Sequence, residues 1–211
     1  MDIVVAGAHG NIAMLMHPLL KENGHNVQGL IRDEDQSFDL EQAGAEPVIA
    51  DLEKDDIKDK VSEADVALFA AGAGPGSGAE RKWKVDRDGA IKFMNAAKSN
   101  GIKRFIIISA MGLDKPRGND VFRAYQRAKA EADEALRQSG LEYVIVKPGR
   151  LTDDKGRGLV EIHENLSGGE IPREDVAKAL VEVIETPELA NIEFNLVTGD
   201  TPIQEAVKSL I

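Results

Sequence analysis

The stretch Gly-Ala-His-Gly-Asn-Ile-Ala at residues 7–13 constrains the fold of this chain more than any other. It follows the apolar run at residues 3–6 and opens into a segment of helical periodicity, which predicts a strand that turns sharply into a helix. Glycine permits the tight turn at position 7 and lets backbone amides approach a phosphate at position 10. The helix start adds unpaired N–H groups and a positive dipole end. We therefore predict a dinucleotide pyrophosphate site formed by Gly7, His9, Gly10, Asn11 and Ile12.

Composition narrows the classes of protein to which the chain can belong. Its 211 residues suit one large domain or one domain with a small appendage. Its formal charge of -11, from 37 acidic and 26 basic side chains, argues against nucleic acid as a partner. The lack of cysteine excludes disulfides, thiolate metal sites and a thiol nucleophile, and the four scattered histidines predict no metal centre. No apolar run approaches the roughly 20 residues of a membrane helix. These observations predict a cytoplasmic protein that does not enter a membrane.

Short apolar runs alternate with segments of helical periodicity along the whole chain. This alternation is typical of stacked β-α-β units around a parallel sheet. The predicted strands are 2–6, 27–31, 47–50, 65–70, 104–109, 142–147 and 193–197, and the predicted helices are 11–22, 84–99, 120–138, 173–185 and 202–210. Some strands are apolar at successive positions, as expected where helices cover both faces of a sheet. The pattern predicts an α/β fold with a Rossmann-type doubly wound parallel sheet, in a single domain over residues 1–211.

The residue after the second predicted strand bears on the choice of cofactor. An NAD site usually has an acidic side chain there, which holds the ribose 2′-hydroxyl. This chain has Arg32, whose planar fork of donors suits a 2′-phosphate and favours NADP. Asp33 follows directly and leaves room for a ribose contact, so NAD stays open as the alternative.

Two further loops follow predicted strands, at the edge where open α/β sheets bind ligands. Asp51 and Leu52 come after the third strand, where the carboxylate can accept a hydrogen bond from the adenine amino group. Ala70, Ala71 and Gly72 come after the fourth strand, and their small size leaves room for a bulky cofactor. Each loop alone is an ordinary surface turn, but together with residues 7–13 they indicate one cofactor site.

Tyr125 and Lys129 are the candidate catalytic pair of the chain. They lie four residues apart in a segment of helical periodicity, so they share one face of a helix. A nearby ammonium group is expected to lower the pKa of the phenol from about 10, which would make Tyr125 a usable proton donor near neutral pH. Lys129 can also hydrogen-bond the nicotinamide ribose. The spacing is common in ordinary helices, so its significance depends on the cofactor loops.

These features resemble the short-chain dehydrogenase/reductase superfamily, most closely its small atypical branch of NAD(P)-binding proteins related to NmrA-like and flavin-reductase-like members. The resemblance covers nearly the whole chain. Its further marks are Val-Asp at 85–86, Gly-Ile-Lys-Arg-Phe-Ile at 101–106, Ser-Gly-Leu-Glu-Tyr at 139–143, Lys-Pro-Gly-Arg at 147–150, Ile-Pro-Arg-Glu-Asp-Val-Ala at 171–177 and Thr-Gly-Asp-Thr-Pro-Ile at 198–203.

The resemblance implies a Rossmann-type domain that binds NADP and acts on a small-molecule substrate. Tyr125 would be the acid/base, Lys129 its helper, and Ser109 would orient a substrate carbonyl. The resemblance also implies cofactor contacts, which the segment Pro148, Gly149 and Arg150 would provide. Many relatives place further serines after the position of Ser109, where this chain has Ala-Met.

Three functions are open at this point. The first is a reductase that transfers hydride from NADPH to a small carbonyl, quinone or flavin-like acceptor, with residues 151–171 as a small cap or loop over the substrate. The second is a noncatalytic NADP(H) sensor, whose cofactor occupancy changes its affinity for a protein partner. The third is an epimerase or dehydratase that retains its cofactor. The small carboxyl-terminal segment makes this third function the least favoured.

Overall fold

A mainly parallel sheet organises residues 1–166 and 168–211, the part of the chain that the computed structural model describes. The strands are β1 (Asp2–Ala6), β2 (Asn26–Ile31), β3 (Glu46–Ile49), β4 (Val66–Phe69), β5 (Arg104–Ile108), β6 (Glu142–Pro148), β7 (Arg150–Thr152), β8 (Leu159–His163), β9 (Glu170–Pro172), β10 (Ile192–Thr198) and β11 (Thr201–Pro202). The helices are α1 (Asn11–Glu22), α2 (Ser37–Ala43), α3 (Ala79–Arg81), α4 (Ala90–Ser99), α5 (Asp120–Arg137), α6 (Arg173–Glu185) and α7 (Ile203–Lys208). A π-helical stretch, Lys82–Gly89, joins α3 to α4.

The strand order identifies the fold. It runs β3-β2-β1-β4-β5-β6-β10 with parallel neighbours, and β8 and β11 extend the β10 edge in antiparallel pairing. The chain moves outward from β1 to β3 and then returns to place β4 on the other side of β1. In doubly wound sheets, ligands bind outside the carboxyl ends of the strands where the order reverses. The predicted Rossmann-type fold is confirmed, and its ligand site is expected beside β1 and β4.

Two hydrophobic cores cover the two faces of the sheet. Alternate residues of β1 point to opposite cores: Ile3 and Val5 pack with α1, α6 and α7, whereas Val4 and Ala6 pack with α4 and α5. This division follows from the period-two geometry of a strand and explains why the central strands are apolar at successive positions. Among the described residues, no helix combines the length and the apolar composition needed to cross a membrane.

The structure differs from the sequence prediction in three places. Helix α2 was not predicted, because it is short and buries a single side chain, Leu40. The helix predicted at 84–99 begins earlier, at Ala79, and passes through the π-helical stretch. In the segment 151–171, β7 and β9 form a separate two-stranded parallel sheet, while β8 joins the main sheet. The role of this segment as a cap over the substrate stays a prediction.

A buried arginine joins the sheet to helix α6. Arg104, at the start of β5, is 5% exposed. Its guanidinium donates hydrogen bonds to the carbonyl oxygens of Val183, Ile184 and Thr186, at 2.6 to 2.8 Å. The last carbonyls of a helix have no partners within the helix, so this side chain satisfies them in a position where water is excluded.

We expect Arg104→Met to lower the free energy of unfolding by about 3 kcal/mol, because it leaves buried carbonyl groups at the end of α6 without donors. Urea denaturation measures the change. Lys103→Met, at the exposed neighbouring position, serves as the control and is expected to change stability by less than about 0.5 kcal/mol. Equal stability of the two variants would contradict this role for Arg104.

Candidate functional site

The turn between β1 and α1 has the geometry of a phosphate-binding loop. Gly7 has a φ of 79°, and a Cβ added to it would lie 2.5 Å from the Cα of Ala71. The Gly10 N–H donates to the Gly7 carbonyl at 3.0 Å, and Gly10 begins the helix with extended backbone and no side-chain cap. The first N–H groups of α1 therefore remain available to an anion. Two of the predicted cofactor loops, those after β1 and β4, are in direct backbone contact.

A buried histidine of α1 hydrogen-bonds the backbone of this turn from the core side. His17, on the inner face of α1, is fully buried, and its Nε2 lies 2.8 Å from the carbonyl oxygen of Ala8. Burial lowers the pKa of His17, and the hydrogen bond to Ala8 offsets this only in part. The neutral ring therefore donates its Nε2–H to the loop. Sequence reasoning missed this residue; its signal was a polar side chain at a helix position otherwise occupied by core residues.

A groove of about 1740 Å³ extends from the start of α1 along the carboxyl ends of β4, β5 and β6. It thus lies at the edge of the sheet where the fold predicts a ligand. The predicted site residues that line it are Ile12, Ala70, Ala71, Gly72, Ser109, Tyr125, Lys129, Pro148, Gly149 and Arg150. The structure therefore brings together one end of the predicted cofactor site and all three predicted catalytic residues. Gly7, His9, Gly10 and Asn11 precede Ile12 in the adjoining turn.

Besides the four residues of the adjoining turn, three predicted cofactor residues lie outside the groove lining: Arg32, Asp51 and Leu52. Arg32 follows β2, about half exposed, and its Nε donates to Asp33 at 2.8 Å. Asp51 accepts a hydrogen bond from the Glu53 N–H at 2.8 Å, and the carbonyl of Leu52 accepts one from a lysine of α4.

Two of the predicted cofactor residues, Asp51 and His9, interact with side chains or amides close to them. Partial burial acts against the charged form of Asp51, but the Glu53 N–H and the Lys54 ammonium outweigh it and lower the pKa of this carboxyl. His9 lies 3.1 Å from Asp39, from its Nε2 to the carboxylate.

An ion pair lies at the floor of the groove. Lys129 is 4% exposed, and its Nζ lies 3.5 Å from Asp86 Oδ1 and donates to the Ile108 carbonyl at 3.0 Å. Asp86 is 1% exposed and accepts a hydrogen bond from the Ala73 N–H at 3.2 Å. Asp86 belongs to the π-helical stretch, a local widening that is frequent at functional sites. It links Lys129 to the loop after β4, a role that sequence reasoning did not assign.

Lys129 acts on Tyr125 in the predicted direction, but the predicted net lowering of the Tyr125 pKa was wrong. Burial raises the pKa of Tyr125 above its usual value, and the charge of Lys129 lowers it by less. Asp86 adds to the increase, because a negative charge nearby disfavours the phenolate. The Tyr125 ring stacks on Phe122 with centroids 5.8 Å apart, and the Lys82 ammonium lies 5.6 Å from its centroid. Tyr125 therefore keeps its proton at neutral pH.

Ser109 is held by a buried carboxyl group. Its hydroxyl donates to Asp133 Oδ2 at 2.6 Å, and the two residues are 3% and 1% exposed. Burial raises the pKa of Asp133 to about 6, against the opposing effects of the Ser109 hydroxyl and of Lys129. Sequence reasoning predicted Ser109 but missed Asp133. The signal was available, since Asp133 continues the four-residue spacing of Tyr125 and Lys129 along α5.

The segment after β6 forms the far wall of the groove. The Gly149 N–H donates to the Leu196 carbonyl at 2.9 Å, and the Arg150 N–H donates to the Gly169 carbonyl at 2.9 Å. The exposed guanidinium of Arg150 pairs with Glu170. Backbone pairing with β10 and with the residue before β9 thus fixes the position of this wall.

We expect Gly7→Ala to raise the Kd for NADPH by about tenfold or more, because the added methyl must displace the loop after β4. Fluorescence titration measures the Kd. Gly140→Ala is the matched control: Gly140 has the same φ of 79°, but no atom lies within 4 Å of its added Cβ. That control should lose stability and keep its affinity. Equal affinities of the two variants would show that the contact with Ala71 has no bearing on binding.

Comparison with known proteins gives a family that fits this geometry. Residues 7–187 match a family model described as NAD(P)H-binding. The chain is 38% identical over 214 residues to a Bacillus subtilis protein named "Uncharacterized sugar epimerase YhfK", with full coverage of both chains. Because the match covers the full chain, it includes the residues that line the groove.

Solved structures have the same architecture. One from Bacillus halodurans, whose name places it provisionally among NAD-dependent epimerases/dehydratases, superposes with a TM-score of 0.94 at 37% identity and covers 99% of each chain. The oxidoreductase ylbE from Lactococcus lactis superposes with a TM-score of 0.88 at 26% identity, over 100% of this chain and 96% of that one. The chain belongs to the NAD(P)H-binding family.

Proposed function

We propose that this protein is an NADPH-dependent reductase of a small carbonyl, quinone or flavin-like acceptor. The observation that carries the proposal is the single groove that joins the start of α1 to Ser109, Tyr125 and Lys129. A cofactor held at one end of such a groove would present its reactive ring to side chains that can bind a substrate at the other. Bound NADPH supplies the hydride, so the protein has to hold the acceptor and provide one proton.

The residues at the α1 end fit a dinucleotide. The uncapped helix start, the close approach at Gly7 and the small residues Ala70, Ala71 and Gly72 leave space and N–H donors where a pyrophosphate would lie. We assign Gly10, Asn11 and Ile12 to phosphate binding. Lys129 lies buried in the groove with its ammonium on the Ile108 carbonyl, which suits a group that positions the nicotinamide ribose.

The charge of the groove supports anionic ligands. Although the whole chain is acidic, eight Lys or Arg residues line the groove against four Asp or Glu residues. The basic residues are Lys82, Lys115, Arg117, Lys129, Arg137, Lys147, Arg150 and Arg173, and the acidic ones are Asp86, Asp114, Asp133 and Glu164. Four of the cations, Arg137, Lys147, Arg150 and Arg173, pair with carboxylates outside the lining. The attraction for an anion therefore rests on the exposed or half-buried Lys82, Lys115 and Arg117. NADPH is an anion, and an acceptor with an anionic group would also be drawn to this cleft.

Tyr125 is proposed as a hydrogen-bond donor to the acceptor. Its raised pKa keeps the phenol protonated, and the neighbouring Phe122 ring offers an apolar surface for a planar molecule. A protonated phenol can stabilise the oxygen that becomes negative when hydride arrives. This role needs no ionisation of the tyrosine within the working pH range.

The names of relatives support the proposal only in part. The Lactococcus lactis structure is named an oxidoreductase, whereas the two more similar proteins carry epimerase names. We favour reduction over epimerase chemistry, because the segment between β7 and β9, residues 153–169, is small for a substrate domain and part of it, β8, belongs to the main sheet. A noncatalytic NADP(H) sensor is the second candidate. The observation in its favour is that Asp86 pairs with Lys129 and that the pKa of Tyr125 is raised, since burial outweighs the effect of Lys129.

We expect the wild-type protein to oxidise NADPH with at least one of a panel of aldehydes, ketones, quinones and flavins, followed by absorbance. Tyr125→Phe should lower kcat by about 10- to 100-fold through loss of one donor to the developing charge. Tyr143→Phe alters the other tyrosine, which packs against the core under α4 and α5, and should leave kcat unchanged.

The remaining outcomes of that assay separate the alternatives. NADPH binding without turnover of any acceptor would contradict the reductase and favour the sensor. Cofactor that remains bound through purification, with no net consumption during turnover of a sugar substrate, would favour the epimerase. Unchanged kcat in Tyr125→Phe would leave the reductase in place and remove Tyr125 from acceptor binding.

We expect Arg32→Ala to raise the Kd for NADPH by about 10- to 100-fold and to leave the Kd for NADH unchanged, because the guanidinium would contact only the 2′-phosphate. Parallel fluorescence titrations with the two cofactors measure the difference. Arg127→Ala, at an exposed position of α5 outside the groove lining, is the control for general charge loss. An equal effect of Arg32→Ala on both cofactors would overturn the NADP assignment.

A further inference from the structure

Three side chains of α5 form one row along the groove. Tyr125, Lys129 and Asp133 lie at intervals of four residues, and all three line the groove. The spacing places them on the same helix face. Tyr125 and Lys129 have proposed roles in acceptor and cofactor binding, whereas Asp133 has none. Asp133 is hydrogen-bonded to Ser109, one of the predicted catalytic residues, so a role in the chemistry has to be considered.

The carboxyl group of Asp133 is poorly satisfied for a buried acid. Oδ2 accepts one hydrogen bond, from Ser109 Oγ, and Oδ1 is buried without a hydrogen-bond partner in the described part of the chain. Lys129, one turn earlier, is held by the Ile108 carbonyl and by Asp86. Buried carboxylates normally accept several hydrogen bonds or pair with a cation, because ionisation away from water is costly. A protonated carboxyl group avoids that cost.

The cations nearest to Asp133 on its other side are engaged elsewhere. Arg137 donates to Glu193 at 2.6 Å, and Lys147 donates to the same carboxylate at 3.0 Å. Glu193, on β10, therefore takes the hydrogen bonds of both cations, which lower the pKa of Asp133 only through their charge and do not outweigh its burial. The charged groups packed around this part of the groove are Lys129 and Arg137 on α5, Lys147 on β6, Asp86 on the π-helical stretch and Glu193 on β10.

We propose that Asp133 and Ser109 form a proton-delivery dyad for the reduction, in which Ser109 protonates the acceptor and Asp133 restores the serine proton. The proposal rests on the proposed reductase function. The acceptor gains a hydride from NADPH and one proton from Ser109. When Asp133 is protonated, its carboxyl O–H donates to Ser109 Oγ across the same 2.6 Å contact, which frees the serine hydroxyl to donate to the acceptor. The Ser109 Oγ–H bond breaks as the acceptor O–H or N–H bond forms. The carboxyl O–H bond of Asp133 breaks as the Ser109 hydroxyl re-forms, and water in the groove then reprotonates the carboxylate.

The chemistry of Asp133 suits this task better than that of Tyr125. A general acid is most effective when its pKa lies near the working pH. Burial raises the pKa of Asp133 to about 6, whereas the pKa of Tyr125 is raised further from neutrality. Tyr125 would then hold the acceptor by a hydrogen bond while the dyad supplies the proton. The two residues are thus expected to affect the reaction in different ways.

The first test is the pH dependence of kcat, with NADPH and phenanthrenequinone as the acceptor. In the wild type, kcat should fall as the pH rises through the pKa of Asp133, because the protonated form is the active one. Asp133→Asn should lower kcat at about pH 6 by about 10- to 100-fold and remove this pH dependence. Ser109→Ala should do the same, and the double variant should be no slower than either single variant. Tyr125→Phe should lower kcat and keep the pH profile.

The second test needs no turnover. Carbon-13 NMR of labelled aspartate carboxyl groups should show one signal, absent in Asp133→Asn, that titrates near 6. Ser109→Ala should move its midpoint upward, because the serine hydroxyl stabilises the carboxylate. A midpoint at or below the ordinary value of 3.8 would overturn the dyad. If Asp133→Asn does not fold, Ser109→Ala and the wild-type titration decide the matter.

The outcomes distinguish this inference from the proposed function. Wild-type protein that reduces no acceptor of the panel contradicts the reductase, and the dyad falls with it. Wild-type protein that is active, with an Asp133→Asn variant of unchanged pH profile, contradicts the dyad alone. Activity that loses its pH dependence in both Asp133→Asn and Ser109→Ala supports both.

Discussion

The site depends on a steric constraint at the point where the strand order reverses. The turn after β1 and the loop after β4 approach each other so closely that residue 7 has no room for a side chain. The positive φ of Gly7 and this contact both require glycine. His17 fixes the same turn from the core side through the Ala8 carbonyl. The result is a rigid, uncapped helix start that faces a groove bounded by the loops after β4, β5 and β6.

The chemistry of the groove is set by buried charges on α5 and its neighbours. Asp86 holds Lys129, and Glu193 holds Arg137 and Lys147, so the positive charges near the floor are already paired. One acidic group, that of Asp133, is left with a single hydrogen bond from Ser109. A carboxyl group that is buried without a cationic partner favours its neutral form, as carboxyl groups in the apolar sites of other proteins do. The protein thus keeps a neutral phenol and a protonatable carboxyl group on the same helix face.

Much of the fold could be predicted because its signals are local. The apolar runs predicted the strands β1, β2, β4, β5, β6 and β10. The glycine motif predicted the point where the strand order reverses. Helix α2 could not be predicted, since its burial is confined to Leu40. The π-helical stretch was also missed, because a local widening of the helix leaves the apolar periodicity of its neighbours in place.

The site was less predictable than the fold, because its interactions join distant parts of the chain. Ser109 and Asp133 are 24 residues apart, and Lys129 lies far from Asp86 in sequence. Helical spacing placed Lys129 beside Tyr125 but gave no measure of burial, so the predicted pKa change of the phenol had the wrong sign. Burial, which only the folded structure supplies, outweighed the neighbouring charge.

Amide hydrogen exchange with and without NADPH tests the central claim most directly. If the dinucleotide lies across the switch point, the amides of residues 7–13 and of residues 70–74 should both exchange more slowly with NADPH present, since they flank one site. Residues 177–185 of α6, which pack on the far side of the sheet from α5 and do not line the groove, should be unaffected. Protection of neither loop, or protection confined to another part of the molecule, would contradict the assignment of this groove.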